Sequence, residues 1–169
     1  MKDIVIRNVR EEDISTIADI QINGWKSAYI GIIDNSYLLS IDKKEKISKL
    51  HKNYMQNGFI VAEIDKVIVG FCRYIGNNSF SLEIEDADCE ISALYVRPDL
   101  KYNGIGTKLF QYVVEEFKSQ KKRKMILWCF KDNEPSKRFY EKMGGTIIDE
   151  KQTILGGKYY AEVCFSYNL

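Results

Sequence analysis

The sequence predicts one domain of the α+β, or mixed α/β, class: a largely antiparallel sheet with a single β-α-β crossover in its second half. Two apolar runs, Phe59–Asp65 and Val67–Tyr74, follow each other almost without a gap, as the strands of a hairpin do. Further along, an amphipathic helical stretch separates two β-rich runs, as a parallel crossover requires. The 169 residues contain no low-complexity linker, internal repeat or composition break, and suffice for one core and one domain spanning 1–169.

Each element has its own justification. Ile4–Val9 alternates and reads as the first strand. Arg10-Glu11-Glu12-Asp13 leads into Ile14, Ile17, Ala18, Ile20 and Ile22, which are apolar at helical spacing. Acidic side chains there suit the positive end of a helix dipole. Trp25, Tyr29 and Gly31 follow, then a second helical stretch from about Asp42 to Met55. After the hairpin, Ser79–Glu85 alternates and continues the meander. Glu90–Val96 is another strand, ended by Pro98, which cannot extend a ladder. From Gly106 onward Leu109, Phe110, Val113, Val114 and Phe117 form one helical face. Lys124–Phe130 is almost continuously apolar, the pattern of a strand covered on both faces. Asp132-Asn133 can cap a short helix, with Pro135 in its first turn and Gly144-Gly145 at its end. Thr146–Lys151 and Tyr159–Tyr167 close the chain as two strands around the Gly156-Gly157 turn.

Composition removes several function classes. A formal net charge of +1 with no basic tail supplies no field for nucleic acid. The basic cluster Lys118–Lys124 follows a helix and complements its dipole. The four cysteines are scattered and never reach CxxC spacing, so reduced, buried thiols are expected rather than disulfides or a zinc site. A single histidine, His51, rules out a histidine metal cluster or a Ser-His-Asp triad, and no metal is expected. The N-terminal stretch is too charged for a signal peptide, and no apolar run approaches the roughly eighteen residues of a membrane span. The expected location is the cytoplasm.

The stretch Lys101-Tyr102-Asn103-Gly104-Ile105-Gly106, followed by Thr107 and Lys108, lies where the crossover enters its helix. First-turn N–H groups have no partners inside a helix and carry its positive dipole end, so glycines there allow several amides to face one anion. The phosphate-loop pattern GxxxxGK[ST] lacks its first glycine, and GxGxxG fails at Leu109. The glycine pair alone does not separate an anion cradle from a tight helix entry.

The wider pattern, ALYVRPDLKYNGIGTKLF followed after a strand by NEPSKRFYEKMGG, resembles the GNAT acetyltransferase family over Glu90–Gly145. Gly104 and Gly106 match its glycine positions, Asn133 its asparagine, Phe139-Tyr140 its aromatic pair and Gly144 its glycine. Lys101 stands where that family usually has Gln or Arg, and Gly145 where it usually has Phe. Trp25-Lys26-Ser27-Ala28-Tyr29-Ile30-Gly31-Ile32 is similar to a W-x-x-x-Y-x-G motif in a branch that includes polyamine acetyltransferases.

That resemblance implies a three-layer fold, with a twisted, mostly antiparallel sheet of about seven strands and helices on both faces. It implies acetyl-CoA as the acetyl donor and direct transfer to a primary amine in a ternary complex. Leu94, Tyr95 and Val96 would hold the pantetheine arm through backbone groups. The amides of Tyr102, Asn103, Gly104, Ile105, Gly106, Thr107 and Lys108, with the charge of Lys101, would take the pyrophosphate. Asn133, Ser136, Phe139 and Tyr140 would flank the sulfur end. Tyr140 is the candidate general acid, because a phenol can protonate a departing thiolate. Glu90 is the candidate base, directly or through a water. Trp25, Tyr29 and Trp128 are candidate acceptor-cleft aromatics, and Glu90 a candidate acceptor contact. The acidic run Glu83–Glu90 would draw in a cationic amine such as a polyamine. A covalent route through Cys129 or Cys89 lacks an activating base. The expected partners are a small-molecule amine and a second copy of the chain in a homodimer. The alternative is an acyl-CoA-binding or sensing module without catalysis.

Overall fold

The computed structural model describes residues 3–55, 58–76, 84 and 86–169. Seven strands form one sheet in the order β1-β2-β3-β4-β5-β7-β6. They are β1 (Val5–Asn8), β2 (Gly58–Ile64), β3 (Val67–Ile75), β4 (Cys89–Val96), β5 (Lys124–Phe130), β6 (Thr146–Leu155) and β7 (Lys158–Asn168). Among the described strands only β4 and β5 run parallel, joined by helix α4 (Ile105–Ser119). This is the expected antiparallel sheet with one crossover. The strand expected at Ser79–Glu85 lies outside the described residues, Ile84 excepted.

The β2–β3 hairpin turns on Asp65 and Lys66, both with positive φ (52° and 65°), the two-residue geometry whose twist matches that of the strands. Helix α1 (Ile14–Ala28) and helix α3 (Lys43–Asn53) cover one face of the sheet. There Ile14, Ile17, Leu50, Phe59, Val61 and Phe71 form a buried cluster. Helix α4 and helix α5 (Glu134–Lys142) cover the other face, with Leu109, Val113, Phe117, Tyr140 and Phe165 inside. The result is three layers. A short helix, α2 (Asn35–Leu39), which sequence reasoning left unassigned, joins Ile33, Leu38 and Phe130 in a third cluster at the end of β5.

The start of α1 is fixed by charge. The Arg7 guanidinium spans Asp13 with two bonds, 2.7 and 3.0 Å, while its Nε donates to Glu63 at 3.0 Å. Asp13 is 5% exposed and also accepts from the Arg10 N–H at 2.7 Å. Burial opposes its ionisation, but the hydrogen bonds from Arg7 and Arg10 together with their charges hold its carboxyl below the usual range.

Gly145, the departure from the family's phenylalanine, has a packing explanation. A side chain there would have its Cβ 2.5 Å from the Tyr167 ring. Tyr167 fills that space from β7, and its hydroxyl donates to the Tyr140 carbonyl at 3.0 Å.

Candidate functional site

The recorded pairing of β4 with β5 consists of Cys89 with Met125 and Glu90 with Ile126. Beyond Glu90 the two parallel strands part, and the wedge opens toward Val96 and Phe130. On its other edge β4 pairs with β3, where the register slips at Ser92: Arg73 faces Ala93 but Tyr74 faces Ile91. A bulge of this kind bends its strand and re-aims the groups that follow. The β5-facing backbone groups of Leu94, Tyr95 and Val96 therefore have no neighbouring strand in the recorded pairing and can accept an extended chain, as a sheet edge does.

The glycine loop stands at the open end. Pro98–Leu100 forms a short 3-10 turn, Lys101 is extended (φ −60°, ψ 156°), and Gly104 starts α4 at φ 77°. Tyr102 also has positive φ, at 68°, so Asn103 lies between two left-handed residues. That alternation turns successive N–H groups to one side. Helices α2, α3 and α5 are capped by Asp34, Asp42 and Asn133, whereas α4 begins on a glycine without a capping side chain. The Lys108 N–H is already bonded to the Gly104 carbonyl at 3.0 Å. The expected cradle is thereby narrowed: its amides lie ahead of Lys108, which can contribute its ammonium but not its N–H. The Asn103 side chain braces the turn, donating to the Leu100 and Lys101 carbonyls at 3.2 and 3.3 Å.

Helix α5 reaches the same end of the wedge. A Cβ at Gly106 would lie 3.6 Å from Phe139 and 3.7 Å from Leu94, so the start of α4, strand β4 and helix α5 converge there. Asn133 is 3% exposed, and its Oδ1 accepts from the Ser136 N–H at 3.3 Å. Tyr140 is 9% exposed, between Phe139 and Phe165. Burial, then the neighbouring Cys129, Tyr95, Cys72 and Tyr167, holds its phenol well above the usual range. It is neutral at physiological pH and keeps a proton to give. Burial likewise pushes the Cys129 thiol up to about 12, which suits a core thiol rather than a nucleophile. His51 is on α3, 3.8 Å from Glu11.

On the opposite face the structure brings Trp25 and Tyr29 together with Tyr95. The Trp25 indole N–H donates to the Tyr95 hydroxyl at 2.8 Å, and the Tyr29 hydroxyl is 3.4 Å from it. Tyr29 packs edge-on against Phe130 with centroids 4.9 Å apart, and Phe130 in turn meets Tyr160 at 6.3 Å. The end of α1 thus spans the parting strands, touching β4 through Tyr95 and β5 through Phe130. The Lys46 ammonium stands 5.7 Å from the Trp25 ring, and that of Lys151 4.1 Å from the Trp128 ring.

The geometry places Asp88 and Glu90, two members of the expected acidic run, at the closed end of the wedge. Asp88 accepts from the Arg123 and Lys124 N–H groups at 3.0 Å each, so the segment before β4 sits at the closed end of the wedge. Parallel strands put both N-terminal ends together, so Asp88 stands away from the opening at the other end. Of that run, Glu83 and Glu85 lie outside the described residues. Glu90 stands at the apex, where pairing stops. Sequence reasoning passed over Glu162, which β7 places directly across from Phe130. Its signal was a carboxylate inside the otherwise apolar run Ala161–Phe165. Among the described residues no group of three or more His, Cys, Asp or Glu could hold a metal, and no helix is long and apolar enough to cross a membrane.

Comparison with known proteins agrees with this geometry. An uncharacterized N-acetyltransferase of Methanocaldococcus jannaschii is 27% identical over 92% of this chain, which spans 65% of that protein. A spermidine N(1)-acetyltransferase of Thermoplasma acidophilum is 27% identical over 86% of this chain and 90% of its own length. The crystal structure of the PaiA N-acetyltransferase of Thermoplasma acidophilum, in complex with coenzyme A, superposes with a TM-score of 0.75. That pair is 23% identical and covers 95% of this chain and 98% of that one. The family model described as the acetyltransferase (GNAT) family matches residues 30–145. With more than half of its length under that match, the chain belongs to the GNAT family and is an N-acetyltransferase.

Proposed function

We propose that the chain moves the acetyl group of acetyl-CoA to a primary amine by direct attack in a ternary complex. The observation that carries this reading is the parting of β4 and β5 beside the uncapped start of α4. In it, the amides ahead of Lys108 take the pyrophosphate, aided by the Lys101 and Lys108 ammonium groups and the Thr107 hydroxyl. Backbone groups of Leu94, Tyr95 and Val96 hold the pantetheine arm as an added strand, and a strand N–H there stabilises the developing oxyanion. Asn133, Ser136 and Phe139 flank the sulfur end, and Tyr140 protonates the leaving sulfur. The coenzyme A bound to the PaiA relative supports acetyl-CoA as the donor.

The acceptor enters from the α1 face, past Trp25 and Tyr29. A small cationic amine fits that face, because ring faces attract ammonium groups and a carboxylate stands nearby. The spermidine acetyltransferase relative supports the same class. In this reading a carboxylate of this face, Glu90 or Glu162, receives the amine's proton.

Thermal shift with acetyl-CoA, followed by thiol release across a panel of amines for wild type and Tyr140→Phe, tests the reading. It expects a rise in Tm, turnover with at least one amine, and loss of turnover in the variant. No shift with acetyl-CoA would overturn it. A shift with no turnover on any amine would favour an acyl-CoA-binding module instead.

A further inference from the structure

We infer that Glu162, rather than Glu90, is the catalytic carboxylate that receives the acceptor's ammonium group and takes its proton. The inference rests on the acetyl-transfer reading above and specifies one of its residues. The placement comes from sheet register. In the antiparallel β5–β7 pair Glu162 stands opposite Phe130, so their Cβ atoms are about 5 Å apart on one face. That face is the α1 face: Phe130 packs with Ile33 and Leu38, while Val163 and Phe165 on alternate positions of β7 point into the α4 and α5 core. Phe130 touches Trp25, Tyr29 and Tyr160, so Glu162 borders an aromatic group that a cation can enter.

Glu90 faces the same side, since Cys89 and Ile91 point into the other core. Its level is wrong. It lies five residues before Tyr95 and pairs with Ile126, four before Phe130, which puts it roughly 13–16 Å from the open end along extended strands. The groups near it include Arg73 and Cys164, within the paired part of the sheet. Glu162 instead stands level with Phe130, the last residue of β5, at the open end of the wedge. The charged or titratable groups near Glu162 include Lys151, directly across on β6, and Tyr95 of β4, while Cys129 of β5 lies on the opposite face of the sheet. Lys151 is its cross-strand partner, with its ammonium 4.1 Å from the Trp128 ring.

The protons balance. Glu162 takes one from the ammonium, leaving a lone pair on nitrogen. The C–N bond forms and the C–S bond breaks. Tyr140 gives its proton to the departing sulfur and regains one from the nitrogen as it becomes an amide. The products are the N-acetyl amine, the free thiol and a protonated Glu162, which returns its proton to solvent.

Glu162→Gln, Glu162→Asp and Glu90→Gln are compared by acetyl-CoA calorimetry and by thiol release between pH 6 and 9, with spermidine and 1,3-diaminopropane as probe amines. Glu162→Gln is expected to bind acetyl-CoA as wild type does, yet to lose at least about 100-fold in kcat/KM for the amine. Its pH profile should lose the limb that rises with pH, and Glu162→Asp should recover part of the rate. Glu90→Gln should lose less than roughly tenfold. A Glu162→Gln rate within about fivefold of wild type, or a larger loss at Glu90, overturns the assignment. If neither probe is acetylated, slow thiol release to water reports the same base, and equal rates in wild type and Glu162→Gln overturn it as well. Absence of acetyl-CoA binding in wild type is a separate result, and overturns the acetyl-transfer reading itself.

Discussion

The two faces of the β4–β5 wedge are built from different materials. On the α4 and α5 face the cradle is backbone: a positive-φ glycine, a helix start without a capping side chain, and strand amides past the last recorded β4–β5 pair. On the α1 face the lining is side chains: an indole, two phenols hydrogen-bonded in a row, and a carboxylate brought across from β7. Backbone can recognise only what every substrate shares, which here is the donor. Side chains can change from one relative to the next, and in the proposed reading they recognise the acceptor. Changes on one face should therefore move donor affinity, and changes on the other should move acceptor kinetics.

The largest expected effect strikes the support of the acceptor face. Arg7→Met leaves Asp13 buried without its guanidinium, which costs about 3–5 kcal/mol in urea or thermal unfolding. Its pH dependence has a definite sign. Asp13 is held below its unfolded value, so the pair's contribution is complete above about pH 4 and fades as the pH falls through the folded value. The gap between wild type and variant should thus narrow in acid. A constant gap between pH 6 and 3 would show that the ion pair does not anchor α1.

Next in size is Tyr140→Phe. Removing a general acid should lower kcat by about 100-fold or more while acetyl-CoA affinity stays within roughly threefold, measured by thiol release and calorimetry. Tyr95→Phe should do less. It removes the acceptor of the Trp25 indole bond and should raise the amine's KM by roughly threefold to tenfold, about 1 kcal/mol, with donor affinity unchanged. A matched loss of donor affinity would blur the division between the faces.

This division also explains what was legible in the sequence. The donor face is local: Gly104, Gly106 and Lys101 lie within six residues, and Asn133 and Phe139-Tyr140 within eight, so spacing alone displayed them. The acceptor face is assembled from α1, β4, β5 and β7. Trp25 and Tyr95, which share a hydrogen bond, are 70 residues apart, and no local period joins them. Tyr95 was legible only for its backbone, and Glu162 only as a charge in an apolar strand. Asp88 was conspicuous in the acidic run, but parallel pairing carries it to the closed end. Helix α2 escaped because its five residues, Asn35–Leu39, are too few to show a period. Gly145 stood out only as a departure from the family's Phe, because Tyr167, which fills its place, comes from the far end of the chain.

The central claim is that this wedge binds acetyl-CoA through the backbone at the start of α4. Calorimetric titration of acetyl-CoA into wild type and Gly104→Val tests it most directly. A β-branched residue resists the φ of 77° that Gly104 adopts and distorts the turn that aims the amides. One site in wild type, weakened more than about tenfold in a variant with unchanged circular dichroism, is the predicted result. No binding in wild type, or equal affinity in the two proteins, would contradict it.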